Sequence, residues 1–553
     1  MRKLHKEQAL ELLRTLYSAS NELKEYSDDQ FIDLCADIQE FIEGIYTFFV
    51  DVFGNEHKFT IQVEKLFEKI YMVAQKQIES QSLSAEVAQF ITELEATMPD
   101  KIEVVFFCYK ASMSDCFESV YFAAKKDPSC DAYFVPIPYF DRNADGTFGE
   151  EHLEGEGYYS DEYELTNWQE YDVEARKPDV IFIMNPYDDG NKVTSVHPFF
   201  YSKRLKQHTG CLVYIEYGLP IWIYSNPDAM SDVIKKNWGL SPAYVHSDYC
   251  ITFSKEHAKC MQILIDSYGQ LKGMENKMCA LGSPKFDKVL KDKKSNHTMP
   301  EQWSNTIGNR KVIVYNTSVT SFLNSIAEQK NEGNFKVNEC KYILKMRSII
   351  EAYNNHPEVV LWWRPHPLLE SVIKSMHPYL YEEYKAIVEE FKSAKDGIYD
   401  DTEDLYRAIT YSDGMISDES SLLWLYALTG KPFYIPTVYN QLKNPNVIDG
   451  PAFVYPLSTR LYNLKEAKGA NITNANCGIC WMNFSEECRV RNIYFQNFPK
   501  RFARYVVDMD KYEKSEEFSA LQKQMINDFA VNSDGSAGYK IYEFAKGKAL
   551  YEN

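Results

Sequence analysis

The sequence has no run of about 18 uninterrupted apolar residues, the least a membrane-spanning helix needs. Its start, MRKLHKEQALELLRTLYSASNELKEY, carries cations but not the apolar stretch of a secretory signal. The expectation is a cytoplasmic protein whose contact with the inner face of the cell membrane, where it occurs, is peripheral. Basic residues are scarce relative to acids, with Lys+Arg of 60 against Asp+Glu of 80 and a net charge of −20. That balance argues against nucleic acid as a partner and against general attraction to anionic lipid, both of which need a cationic surface. Low-complexity tracts are missing too, and 45% apolar with 25% charged residues is an ordinary globular composition.

Twelve cysteines in 553 residues are too sparse for a disulfide scaffold. Cys108, Cys211, Cys250 and Cys279 fall inside apolar runs and read as reduced, buried thiols. Cys477-x-x-Cys480 with Cys488 lacks a fourth zinc ligand at standard spacing, so no metal and no other cofactor is expected. No G-x-S-x-G elbow follows a strand, which removes a serine-hydrolase reading. The segment 136–150 reads as an ordinary loop with an Asp-Gly turn, its acids resembling calcium ligands at a spacing that fails the EF-hand pattern.

What is present is a change of period. Residues 1–97 place Leu10, Leu13 and Leu16, then Phe31, Leu34, Ile38, Phe41, Ile42 and Ile45, at three- and four-residue spacing. This predicts a helical N-terminal region that packs as a bundle or joins copies into a homo-oligomer. From residue 102 short apolar runs alternate with helix-length segments: 102–109, 132–137, 179–184, 211–216, 249–254 and 277–282. A second series follows the polar linker candidate 291–310, at 311–316, 359–364, 397–400, 414–417 and 432–436, with helices around 338–354, 368–394, 403–410 and 420–429. Runs apolar on both faces that alternate with helices indicate parallel sheets covered on both sides. The expected fold is therefore α/β, with units at 98–292 and 308–460 and a helical segment 461–553 packing back on both. Ligands in such sheets bind beyond the carboxyl ends of the strands.

Chemistry is accordingly sought after each strand. Arg364 and His366, in the RPHP turn, offer a bidentate fork and an imidazole to a diphosphate. Asp418, Ser420 and Ser421 follow the 414–417 strand and open a helix, where free N–H groups and hydroxyls make an anion site or where Asp418 and Ser420 are only a helix cap. In the first unit Asp115, Asp188 and Asp189 are rival bases, although Asp in such loops is more often only a turn residue, with His197 nearby.

The combination of RPHP (364–367), DLYRAITYSDGMISDESS (404–421) and GKPFYIP (430–436), preceded by ITFSKEHAKCM (251–261) and LGSPKFD (281–287), resembles the CDP-glycerol glycerophosphotransferase family, the teichoic acid polymerases and primases. The likeness covers roughly residues 210–440. It implies a GT-B-like fold of two Rossmann-like domains facing a cleft, the C-terminal one holding a CDP-linked donor. It implies His366 at the donor diphosphate, and Asp418, Ser420 and Ser421 at a D-x-S-S turn with Glu419 in place of an aromatic. The implied partners are CDP-glycerol or another nucleotide-linked donor and an envelope polymer or lipid-linked acceptor. The family's His-Gly-x-Pro turn reads Glu216-Tyr217-Gly218-Leu219-Pro220 here, with Tyr217 where the proposed base would stand. A phenol of pKa about 10 is a poor base. Glu216 is the substitute, although neighbouring residues of a strand face opposite ways. A glycosyltransferase using a nucleotide sugar, and a non-catalytic member without the base, remain the alternatives.

Overall fold

The computed structural model describes residues 1–434, apart from 27–28, 144, 192, 220–240, 268–275, 332–339, 395 and 419, together with 523, 526–527 and 530–551. The expectations for Pro220, Glu419, residues 435–436, Cys477, Cys480, Cys488 and most of 461–553 lie outside the described residues. None of the nine cysteines described is in a disulfide, and eight of them are buried.

The N-terminal periodicity becomes four helices, α1 (Lys3–Glu22), α2 (Asp29–Phe53), α3 (Lys58–Ala74) and α4 (Ser80–Thr97). Leu13, Leu16, Ile38, Ile42 and Ile45 are buried in their shared core, with Leu10, Phe31, Leu34 and Phe41 packed at its edge. Charge ties the bundle to the next unit. Arg2 donates to the carbonyls of Arg176 and Lys177 and lies 3.2 Å from the buried carboxylate of Glu103, which Arg176 grips with two 2.8 Å bonds.

The first α/β unit contains β1 (Ile102–Cys108), β2 (Cys130–Pro136), β3 (Tyr139–Arg142), β4 (Phe148–His152), β5 (Val180–Ile183), β6 (Thr194–Val196), β7 (Cys211–Ile215), β8 (Tyr249–Thr252) and β9 (Met278–Ala280). Six of them form a sheet in the order β2-β1-β5-β7-β8-β9. Every neighbouring pair is parallel. All residues of β1, β5 and β7 are buried, which is what runs apolar on both faces require. The chain goes from β1 to β2 on one side and then crosses to β5 on the other, so the direction of winding reverses between β1 and β5. The segment read as a loop is instead an antiparallel sheet, β4-β3-β6. Its β3–β4 turn is closed by Gly146 at φ 85° and by Asp145 accepting from Thr147.

The second unit contains β10 (Lys311–Thr317), β11 (Val359–Pro365), β12 (Ile398–Tyr399), β13 (Gly414–Ser417) and β14 (Phe433–Tyr434), ordered β12-β11-β10-β13-β14 and parallel throughout. Here the reversal falls between β10 and β13. The GT-B-like expectation of two Rossmann-like units is met by these two doubly wound sheets. The helix expected over 368–394 is broken in two, Leu369–Met376 and Tyr381–Ala394. Pro378 follows His377, and the residue before a proline is driven out of helical geometry. The linker candidate is not a free tether. It forms the short helix Glu301–Ile307, and His297 is held between Asp292 at 2.6 Å and Asp404 at 2.8 Å.

A shared core joins the units: Phe253 and Phe286 of the first pack with Leu423 and Trp424 of the second and with Ile526 and Ala530 from near the C-terminus. The Phe253 and Trp424 rings sit 5.1 Å apart. The last helix, Ala537–Tyr551, then returns to the first sheet, burying Ile541, Tyr542 and Ala545 there.

Candidate functional site

In the second unit the reversal of winding is occupied by Asn316. It ends the apolar run of β10, in register with Arg364 on one side and Ser417 on the other. Its amide nitrogen donates at 3.0 Å to the hydroxyls of both Ser417 and Ser420. One side chain thus holds the end of β13 and the turn after it against the end of β10. Open parallel sheets bind ligands at this position.

Asp418 turns inward from the same turn and is 2% exposed. It receives Lys345, the Tyr342 hydroxyl at 2.5 Å and the Ser318 backbone N–H at 2.8 Å. Its carboxylate is therefore spent on fixing the turn to the helices that follow β10. Ser420 is half-buried and Ser421 exposed. Ser421 precedes the helix Leu422–Ala427 and makes no side-chain cap bond.

On the other side of β10, Arg364 lies within β11, not beyond it, and is buried. It donates to Asp400 at 2.7 Å and to the Thr402 carbonyl at 2.6 Å. Asp400, fully buried, also accepts from Trp362 and Thr402. Arg364 is thereby tied into a buried network under the RPHP turn. His366 is exposed. Its backbone N–H bonds to the Thr317 carbonyl, and its Nδ1 accepts from Leu368, which leaves Nε2 without a partner among the described residues. Desolvation by the surrounding protein lowers its pKa from the ordinary histidine value. The imidazole is neutral near pH 7 and has one ring nitrogen to offer.

In the first unit Glu216 and Tyr217 follow β7, which ends at Ile215. Because neither residue is in the strand, alternation no longer separates them, and both line one cavity of about 60 Å³. Glu216 is 5% exposed. Its Oε1 accepts from the Tyr244 hydroxyl and from His257 Nε2 at 3.0 Å, while Oε2 has no partner. Burial raises the Tyr217 phenol above its ordinary value, which Lys285 only partly offsets. That moves Tyr217 further from a base's range.

Asp115 is buried. It is gripped at 3.4 Å by Lys285 and at 2.6 Å by the hydroxyl of Tyr406, a residue of the second unit. Burial would lower the Lys285 pKa, but Asp115 outweighs it and the pKa rises. Asp188 is also buried and accepts from the Ser202 N–H and hydroxyl. Burial pushes its pKa up to about 6. Asp189 is exposed, with its carbonyl accepting from Arg142. His197 caps the turn Pro198–Phe200. Among the acids of residues 136–150, Asp141 pairs with His152 at 3.1 Å on the solvent side of the small sheet.

Sequence reasoning did not single out Asn316, Lys345, His257, Lys285 or Tyr406. A polar residue closing an apolar strand was the available signal for Asn316. The others sit on the inner faces of amphipathic helices, where one polar residue among apolar ones carries no distinguishing pattern.

No family model matches the chain, and no curated protein matches it. Solved structures do. The chain is similar to the UDP co-structure of MnaA from S. aureus, at TM-score 0.42 and 11% identity over 81% of this chain and 96% of that one. It is similar to a UDP-N-acetylglucosamine 2-epimerase, at TM-score 0.42 and 10% identity over 82% and 98%. The wall teichoic acid polymerase TagF is a further neighbour, at TM-score 0.42 and 12% identity over 89% and 98%.

Proposed function

We propose that this chain transfers glycerophosphate, or a related alditol phosphate, from a CDP-linked donor to a hydroxyl of an envelope polymer or lipid-linked precursor. The observation that carries the reading is Asn316 gathering Ser417 and Ser420 at the reversal of the second sheet, with the free Nε2 of His366 two strands away at the same edge. Adjacent strands lie about 4.8 Å apart, so the two flanks stand roughly 10 Å from each other, a span a diphosphate with its flanking groups bridges. Neutral, preorganised donors at that span stabilise charge as it moves onto the leaving nucleotide. Ser421, exposed at the mouth, adds a hydroxyl. Arg364 and Asp418 act one step back, bracing the two turns through Asp400 and through Lys345.

In the transfer, the acceptor oxygen bonds to the glycerol-bearing phosphorus, the bond from that phosphorus to the bridging oxygen breaks, and CMP leaves with the electron pair. The acceptor proton passes to Oε2 of Glu216, the oxygen of that carboxylate left without a partner beyond the end of β7. Asp115, paired with Lys285 and Tyr406, holds the two units in register, and Tyr217 forms a wall of the cavity. Incubation with CDP-glycerol and an envelope acceptor, followed by assay of CMP, tests the proposal. It expects acceptor-dependent CMP release that Glu216→Gln lowers by about 100-fold or more, the usual contribution of a general base. Binding of CDP-glycerol without CMP release from any acceptor favours the non-catalytic reading instead.

A further inference from the structure

The cavity beside Glu216 has a chemistry of its own. It is lined by Tyr187, Tyr214, Tyr217 and Tyr244, with Pro186 and Ser241 completing much of the wall. The Tyr244 hydroxyl is committed to Glu216. Those of Tyr187, Tyr214 and Tyr217 make no hydrogen bond to any described residue. The charged part of the wall is Glu216, whose Oε2 is buried and unpartnered, while His257 holds its Oε1. Burying an acceptor without a partner is expensive, so a fold that keeps one at a cavity wall is one whose complement arrives from outside.

Resting on the transfer reading above, we propose that this cavity seats a neutral polyhydroxylated group, a polyol or sugar residue at the end of the acceptor, one of whose hydroxyls donates to Glu216 Oε2. Three lines lead there. Phenol hydroxyls both donate and accept, which matches alcohols and wastes half the capacity of a phosphate. Tyrosine and proline faces cover the C–H surface of a carbon chain or ring. Among the described residues the lining holds a carboxylate and no cation, and Lys285, over the Tyr217 ring, is already paired with Asp115, so the carboxylate disfavours an anionic ligand. Tyr244 and His257 are positioning residues: they fix Oε1 and thereby aim Oε2.

Saturation-transfer NMR on the full chain tests this with five probes: glycerol, ribitol and N-acetylglucosamine as neutral compounds, glycerol 3-phosphate as the anion and choline as the cation. The expected result is transfer to at least one neutral compound, exceeding both charged probes. Tyr187→Phe and Tyr214→Phe, which remove only a hydroxyl, weaken it, and Glu216→Ala reduces its affinity by about tenfold or more, the worth of a charge-assisted hydrogen bond. No transfer to any neutral probe, transfer indifferent to all three substitutions, or preference for choline overturns the proposal. CDP-glycerol is titrated into the same samples. If it binds while the neutral probes do not, the cavity assignment falls and the transfer reading stands; if the neutral probes bind and CDP-glycerol does not, the reverse holds.

Discussion

Asn316 offers one amide nitrogen to two hydroxyls that belong to different parts of the chain, so its loss acts on geometry before chemistry. Asn316→Ala frees Ser420 from β10 and is expected to weaken CDP-glycerol binding by about tenfold while leaving the fold intact, as read by calorimetry. His366 makes a different, pH-dependent prediction. Its pKa is lowered in the folded protein, so it is neutral above pH 6.5 and takes a proton only below it. A bound diphosphate diester, ionised throughout this range, favours the imidazolium. Affinity for CDP-glycerol therefore rises as pH falls through the pKa of the ligand-bound imidazole, and His366→Gln removes the rise. Asp188 runs the other way. Its folded pKa of about 6 exceeds the ordinary 3.8, so folding favours the protonated form, and stability falls as pH climbs from about 4 to about 6. The linked free energy is of order 3 kcal/mol. Asp188→Asn keeps an acceptor for Ser202 and should flatten that slope in denaturant titrations across the same window. At this scale the sequence showed the residues that stand at strand ends, such as Glu216 and His366, because an apolar run stops there. It hid which of them face inward: Arg364 looked free beside His366, yet a buried Asp400 thirty-six residues on takes its guanidinium.

Among the elements, the parallel strands were readable because they are apolar on both faces, and the fully buried β1 and β7 are the plainest cases. The small sheet β4-β3-β6 was not. Its strands carry Asp141, Glu150 and Glu151 toward solvent, so the β3–β4 hairpin lacks an apolar run, and its third strand, β6, comes more than forty residues later. The last helix shows how closely an element can be fitted. A Cβ on Gly538 would overlap the side chain and backbone of Ser119, and the Gly538 and Ala537 N–H groups are already bonded to Asp287. Gly538→Ala is expected to cost about 1–3 kcal/mol through overpacking, seen as a lower thermal midpoint. A midpoint equal to the parent's would mean that this helix docks less tightly than its contacts indicate.

For the whole molecule, the linear alternation of short apolar runs with helix-length segments disclosed two parallel sheets, since each crossover needs a helix between strands. It did not disclose what fastens them. That work is divided between the Phe253–Trp424 packing and a polar clasp in which Tyr406 of the second unit reaches Asp115 of the first, itself paired with Lys285. Such contacts join residues 171 and 291 positions apart and leave no local trace. The clasp joins the unit that holds the cavity at Glu216 to the unit that holds the turn at Ser420, as the proposed transfer requires.

The most direct test of that arrangement is a crystal of the full chain soaked with CDP-glycerol. The account predicts the diphosphate at the reversal of the second sheet, within hydrogen-bonding reach of His366 Nε2 and the Ser420 hydroxyl, with the glycerol-bearing phosphorus turned toward Glu216. Nucleotide density anywhere else on the molecule, or a diphosphate there that touches neither His366 nor Ser420, would contradict it.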